Sequence, residues 1–218
     1  MNTTKAQLVC ILIVSFLVSS CGRGVRDFDG NSYKIVKIGN QSWMVENLNV
    51  SHFRNGDEIP EAKSQEEWIS LGNEGKPAWC SMQNDPENGK KYGKLYNWYA
   101  VNDPRGLAPR GSHVPSDDEW TQLTNFLGGG VIAALQMRTI GFTNNPNQTY
   151  RSGFTGLPGG NRINNGNFYG LSSFGYWWSS TEFDASNAWI LLLNYIECDV
   201  YSLSYEKLCG LSVRCLMD

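Results

Sequence analysis

The run Leu8 to Val18 is apolar, uncharged and eleven residues long, and that length constrains everything after it. A helix needs about 20 apolar residues to cross a bilayer. Eleven, preceded by the lone positive charge of Lys5 and followed by Ser19, Ser20 and Cys21, match the core and small-residue end of a secretory signal. No later stretch is long enough to span a membrane. Residues 29–218 are therefore expected to fold as one domain outside the cytoplasm, a length that can bury a single good core.

Val18-Ser19-Ser20-Cys21 resembles the lipobox of bacterial lipoproteins, where the cysteine after the cut is acylated on its thiol. The resemblance implies a signal at 1–20, a lipidated tether at 21–28, and attachment to an envelope membrane through lipid on Cys21. Each buried methylene of such a chain contributes about 0.8 kcal/mol, and more than one chain makes anchoring stable. Gly22 stands where an aspartate would resemble an inner-membrane retention signal, so the outer membrane, with surface exposure possible, is expected. Lys5 is the only charged residue in 1–20, so removing them moves the formal charge from −3 to −4. An acidic chain argues against nucleic acid, or an anionic lipid surface, as the main partner.

Eight tryptophans, ten tyrosines and 23 glycines set against few charges favour short strands and long connections over helical bundles. Asn31 to Ile38 alternates, with Tyr33, Ile35 and Ile38 inward, and Gly39-Asn40 leads into Gln41 to Val45, which predicts a β-hairpin. Glu66 to Leu71 predicts a short helix. Ser116 followed by Glu119 reads as a capping box, and Trp120, Leu123 and Leu127 place one apolar face on a helix over 117–127. Gly128-Gly129-Gly130 ends it, and Val131 to Met137 predicts another short helix. From Asn144 onward turn-forming residues dominate. Strands return at Tyr176–Ser179, Ala188–Leu193, Asp199–Leu203 and Leu211–Leu216. The expected class is α+β and loop-rich, with short early helices and one antiparallel sheet made by the hairpin and the C-terminal strands.

With Cys10 in the signal and Cys21 lipidated, Cys80, Cys198, Cys209 and Cys215 remain. Disulfides form outside the cytoplasm, and four cysteines allow three pairings. Cys198 with Cys209 is the first choice, because eleven residues suit two antiparallel strands joined by a loop. Only His52 and His113 occur, no Cys-x-x-Cys pair exists, and no EF-hand spacing appears, so neither a metal nor another cofactor is expected. Asp117, Asp118 and Glu119 are explained by helix capping.

Blocks spread along 29–218 together resemble the Fibrobacter succinogenes major paralogous domain, found in predicted lipoproteins of Bacteroidetes and Fibrobacteres. They include Asp29-Gly30-Asn31-Ser32-Tyr33, Lys37-Ile38-Gly39-Asn40-Gln41-Ser42-Trp43-Met44, Glu46-Asn47-Leu48-Asn49 and Pro77-Ala78-Trp79-Cys80. Then come Tyr92-Gly93-Lys94-Leu95-Tyr96-Asn97-Trp98-Tyr99-Ala100, His113-Val114-Pro115-Ser116, Leu157-Pro158-Gly159-Gly160, Trp177-Trp178-Ser179-Ser180-Thr181-Glu182 and Ser212-Val213-Arg214-Cys215. Where the family usually reads Leu-Cys-Pro-x-Gly-Trp-His, this chain has Leu107-Ala108-Pro109-Arg110-Gly111-Ser112-His113, so a disulfide from that position to Cys215 cannot form.

The layout is similar to the C-type-lectin-like group, which includes formylglycine-generating oxidases and the variable proteins of diversity-generating retroelements. Those oxidases hold copper on two cysteines near the C-terminus, and soft thiolates select Cu(I). Here Cys209 and Cys215 are six residues apart, a different spacing, and Arg214-Cys215 matches the non-enzymatic domain. The calcium-binding motifs of sugar-binding C-type lectins are absent.

Trp43, Trp98, Trp120 and Trp178 fall in shared blocks and read as core. Asp184 to Tyr205 mixes asparagine, tyrosine, aspartate and serine, the composition of adaptable binding surfaces. Asn187, Asn194, Tyr195, Asp199, Tyr201 and Tyr205 are the expected ligand face, for a glycan or a surface protein. The expected function is non-catalytic recognition by a surface-displayed lipoprotein. A structural or assembly role in the envelope is the rival reading, and a copper-thiol oxidase the third. Cys21→Ser should abolish incorporation of an alkyne palmitate analogue in cells, since serine offers no thiol; equal labelling of both forms would refute the anchor.

Overall fold

The computed structural model describes residues 24–139 and 152–218. The expected signal, Cys21, and Asn144 with the start of the turn-rich stretch lie outside the described residues. The fold is mixed α+β, and no described helix is long and apolar enough to cross a membrane.

The predicted hairpin forms, but its first strand is divided. β1 (Val25–Arg26) pairs with β2 (Ser32–Tyr33), while β3 (Ile35–Ile38) pairs with β4 (Gln41–Met44) across Gly39-Asn40. Gly39 sits at φ +60°, a backbone that such a turn needs and that glycine adopts without strain. Tyr33 and Ile38 are buried, as the alternation predicts. α1 (Gln65–Asn73) begins with a complete capping box between Ser64 and Glu67. After it come β5 (Trp79–Cys80), a 3-10 turn at Met82–Asn84, α2 (Pro86–Tyr92), β6 (Leu95–Tyr96), α3 (Trp98–Val101) and β7 (Ser112–His113). α4 (Asp117–Phe126) is capped as expected: Ser116 Oγ accepts from the Glu119 amide, and the Glu119 carboxylate accepts from the Ser116 amide. α5 (Gly130–Met137) follows.

The rest of the chain is β8 (Gly159–Arg162), β9 (Phe168–Leu171), β10 (Phe174–Glu182), β11 (Asn187–Asn194), β12 (Asp199–Glu206) and β13 (Leu216–Met217). The expectation of one sheet is corrected here. β12-β11-β10-β8-β9 form a five-stranded sheet, and the hairpin joins β13 and β7 in a separate four-stranded one, β3-β4-β13-β7. Only Leu216 of the expected strand Leu211–Leu216 pairs in that sheet. Gly210, Leu211 and Ser212 instead make single bridges to Arg162, Tyr96 and Trp177, because the chain here threads between elements rather than along one edge.

Trp177 and Trp178 show how the two halves share a core. Consecutive residues of a strand point to opposite faces, and both indoles are fully buried. Trp178 enters a cluster with Met44, Tyr96, Leu211 and Val213, and Trp177 enters another with Trp43, Trp120, Phe154 and Leu191. β10 is thus covered on both sides. Each buried indole N–H must find an acceptor: Trp178 donates to Tyr96 O, Trp120 to Trp178 O, Trp98 to Ser179 O and Trp177 to Asn47 Oδ1.

The expected Cys198–Cys209 bridge is also corrected. Cys198 sits in the turn before β12 and Cys209 lies beyond its other end, so the eight residues of β12 separate them by about 27 Å. Cys80, Cys198, Cys209 and Cys215 are all free thiols.

Arg214 ties the halves together. Its fully buried guanidinium donates through Nε and Nη2 to Asn47 Oδ1 at 3.0 and 2.6 Å, and through Nη1 to the carbonyls of Met44 and Phe154. Burial pulls its pKa down to about 9, still above neutrality, so it stays charged. Asn47 holds its own position by donating to Tyr92 O at 2.8 Å. Asn47→Ala would leave a buried charge short of its main acceptor, and should cost about 3–5 kcal/mol in denaturant unfolding. Asn47→Ala combined with Arg214→Met should cost clearly less than the sum of the single changes, and strict additivity would exclude the coupling.

Candidate functional site

The chemistry left exposed lies on one face of the five-stranded sheet. Residues directly paired across strands share a face, as do alternate residues along one. Tyr176 pairs with Leu192 and Leu192 with Tyr201, while Ile190 pairs with Leu203 and Ala188 with Tyr205. Tyr176, Tyr201, Leu203 and Tyr205 therefore share the face that Trp178 fills at its covered end. Phe174 and Tyr176 rings lie 5.9 Å apart, as do those of Tyr176 and Tyr205. Leu203 is 41 % exposed.

At the end of the sheet beside the loop after β8, Tyr205 from this face and Asn187, Ser204 and Glu206 from the opposite one join Ile163, Asn164 and Cys209 to line a cleft of about 370 Å³. Its polar groups are held in place. Asn164 Nδ2 donates to Glu206 Oε2 at 2.6 Å. Asn187 Nδ2 donates to both carboxylate oxygens of Asp184, each at 3.0 Å, and hydrogen bonds from Asn187, then Ser186, hold that carboxyl below its usual range. The Tyr205 hydroxyl accepts from Asn161 Nδ2 at 2.9 Å. Burial raises the Tyr205 pKa to about 12, so at neutral pH the phenol keeps a proton to donate. Beside it, Asn161 Oδ1 is buried without a hydrogen-bond partner among the described residues.

The cleft thus brings together one aromatic ring with its phenol, two amides, a carboxylate and a serine hydroxyl. Burial raises the thiols of Cys209 and Cys215 to about 12, so both are protonated at neutral pH, and the thiolate is the form that attacks or ligates metal. Among the described residues no three His, Cys, Asp or Glu side chains cluster as metal ligands do.

The six expected ligand residues do not form one face. Asn187 and Tyr205 meet in the cleft. Asn194, Tyr195 and Asp199 lie at the far end of the β11–β12 pair, about 24 Å along it, and Tyr201 lies between, about 14 Å from Tyr205. Two are corrected outright. Asn194 is buried, and its Oδ1 accepts from the amides of Ile196 and Glu197, closing the turn. Tyr195 is buried, donates to Gly156 O at 2.6 Å and lies under the Arg138 guanidinium. Asp199 accepts from the following amide, Val200 N, and Tyr201 reaches the surface. Sequence reasoning missed Asn164, Tyr176 and Glu206. The parity of Tyr176 with Trp178 carries the signal for one of them; Asn164 sits in a stretch whose composition says only turn.

These features define a mixed α+β domain with a shallow polar and aromatic cleft at one end of its larger sheet. The family model of the Fibrobacter succinogenes major domain matches residues 36–217, and the chain belongs to that family. No curated protein matches the sequence. Tyr195→Ala should cost about 3 kcal/mol or more in unfolding, as a core position does, whereas Tyr201→Ala should stay within about 0.5 kcal/mol; equal losses at both would show that the outer face is core as well.

Proposed function

We propose that this protein is a lipid-anchored recognition module of the cell envelope, with a C-type-lectin-like arrangement, that binds a glycan at the cleft of Asn164, Asn187, Tyr205 and Glu206. The cleft carries the reading. It is concave and of ligand size, and side chains fixed by their neighbours supply donors and acceptors beside the ring of Tyr205, which is how a pyranose with its hydroxyls is held. A protein ligand would draw on the wider face that includes Tyr201 and Leu203. The anchor reading rests on Cys21 and the apolar run before it. An assembly role is favoured by a different observation: Phe126, Val131 and Ile132, at the turn between α4 and α5, are 65, 51 and 53 % exposed. The oxidase reading is weakened by protonated, buried thiols.

A glycan array probed with the wild-type chain should return a restricted set of sugars. Glu206→Gln and Tyr205→Phe each remove one hydrogen-bonding function and should weaken binding to the best of them by about tenfold, or about 1.4 kcal/mol, with thermal midpoints little changed. Sugar binding that survives both changes undiminished would place the site elsewhere.

A further inference from the structure

A second pocket, of about 310 Å³, opens beside β1, with Arg26, Asp27, Phe28, His52, Arg54 and Arg110 on its walls. Arg26 and Arg110 are exposed, and among the described residues neither side chain has a hydrogen bond or ion pair. Arg54 donates through Nε to Ala108 O at 2.8 Å and through Nη2 to Ser112 O at 2.9 Å, which fixes its guanidinium in the wall. One carboxylate, that of Asp27, shares the pocket wall with the three arginines. Asp27 accepts from Asn31 and from the Tyr33 hydroxyl, and Asp29 is bound to His52 at 2.5 Å and to the Ser51 amide. Three arginines against one aspartate thus line this pocket, on a chain whose overall charge is negative. Phe28, at the rim, is 57 % exposed.

The position of the pocket gives this charge a use. Val25 follows Cys21 by four residues, and four residues span at most about 14 Å. A lipid on Cys21 would hold β1 and the pocket beside it within reach of the lipid head groups. Guanidinium groups pair with phosphate by parallel hydrogen bonds, and an exposed phenylalanine suits the boundary between head groups and acyl chains. We infer that the Arg26–Arg54–Arg110 pocket binds the phosphate of membrane lipids and seats the domain on the bilayer that holds its anchor. The inference rests on the anchor reading for its geometry. The negative charge of the rest of the chain confines the contact to this patch.

The test uses the chain from residue 21 onward with Cys21→Ser, so that no acyl chain contributes. It is sedimented with phosphatidylcholine vesicles, with or without phosphatidylglycerol. Binding should require phosphatidylglycerol and weaken as salt is raised. Arg26→Ala with Arg110→Ala should weaken it about 25-fold, about fivefold for each arginine, while Lys63→Ala with Lys76→Ala, outside the pocket, should change it by less than about twofold. No binding to anionic vesicles, or equal losses in the two double variants, would overturn the inference. So would tight binding of inorganic phosphate without vesicle binding, which would mark a free anion as the ligand. Acylation is read separately by palmitate labelling, so failure of the anchor and failure of the pocket are told apart.

Discussion

A buried guanidinium is expensive to remove from water, and it persists only where each of its nitrogens finds an acceptor. Arg214 meets that condition by gathering Asn47, Met44 and Phe154 around itself. These come from the N-terminal hairpin region and the segment ahead of β8, and Arg214 from the last stretch of chain, so one side chain fixes parts of the molecule that are far apart in sequence. Asn47 also receives the Trp177 indole, and through Trp177 the clamp extends to the central strand of the larger sheet. The position of β10, and hence of the aromatic face beside it, follows from this contact.

Much of the local structure could be read from the sequence because its signals are local. The capping box at Ser116 and Glu119, the turn at Gly39-Asn40 and the strands around Trp178 and Ile190 rest on residues within a few positions of each other. α2 and α3, of seven and four residues, are too short to show a helical period, and only their caps at Asp85 and Asn97 announce them. The division into two sheets was not legible, since it depends on β13 choosing the hairpin over β12, a long-range pairing with no marker at Leu216. The site was half legible. Composition pointed to Asp184–Tyr205, but depth in a twisted sheet depends on which end a neighbouring element covers, and Arg138 covers Tyr195 while Asn187 stays at the surface.

Arg162 repeats the solution of Arg214 under the cleft. It donates to the carbonyls of Ala62, Ser64 and Gly166 and lies between Trp68 and Phe168. β8 has one residue pair with β10, Gly160 with Gly175, so the ribbon of β8 and β9 that carries Asn164 relies also on this arginine and on the backbone bridge of Arg162 to Gly210. The cleft therefore has one wall set by the sheet and another set by a clamp to the loop before α1.

The choice of acceptor has a consequence for acid. Arg162 and Arg214, and Arg138 through its bond to Asn194 O, are bound by amide oxygens, none of which takes up a proton in the range where carboxylates do. Acid unfolding proceeds mainly by protonating carboxylates that are paired in the native state, and these three arginine clamps offer it none. What a falling pH removes lies at the periphery, at pairs such as His113 with Glu119 and Asp218. A protein built this way would loosen at its C-terminal rim in acid while the arginine clamps at its centre stayed closed.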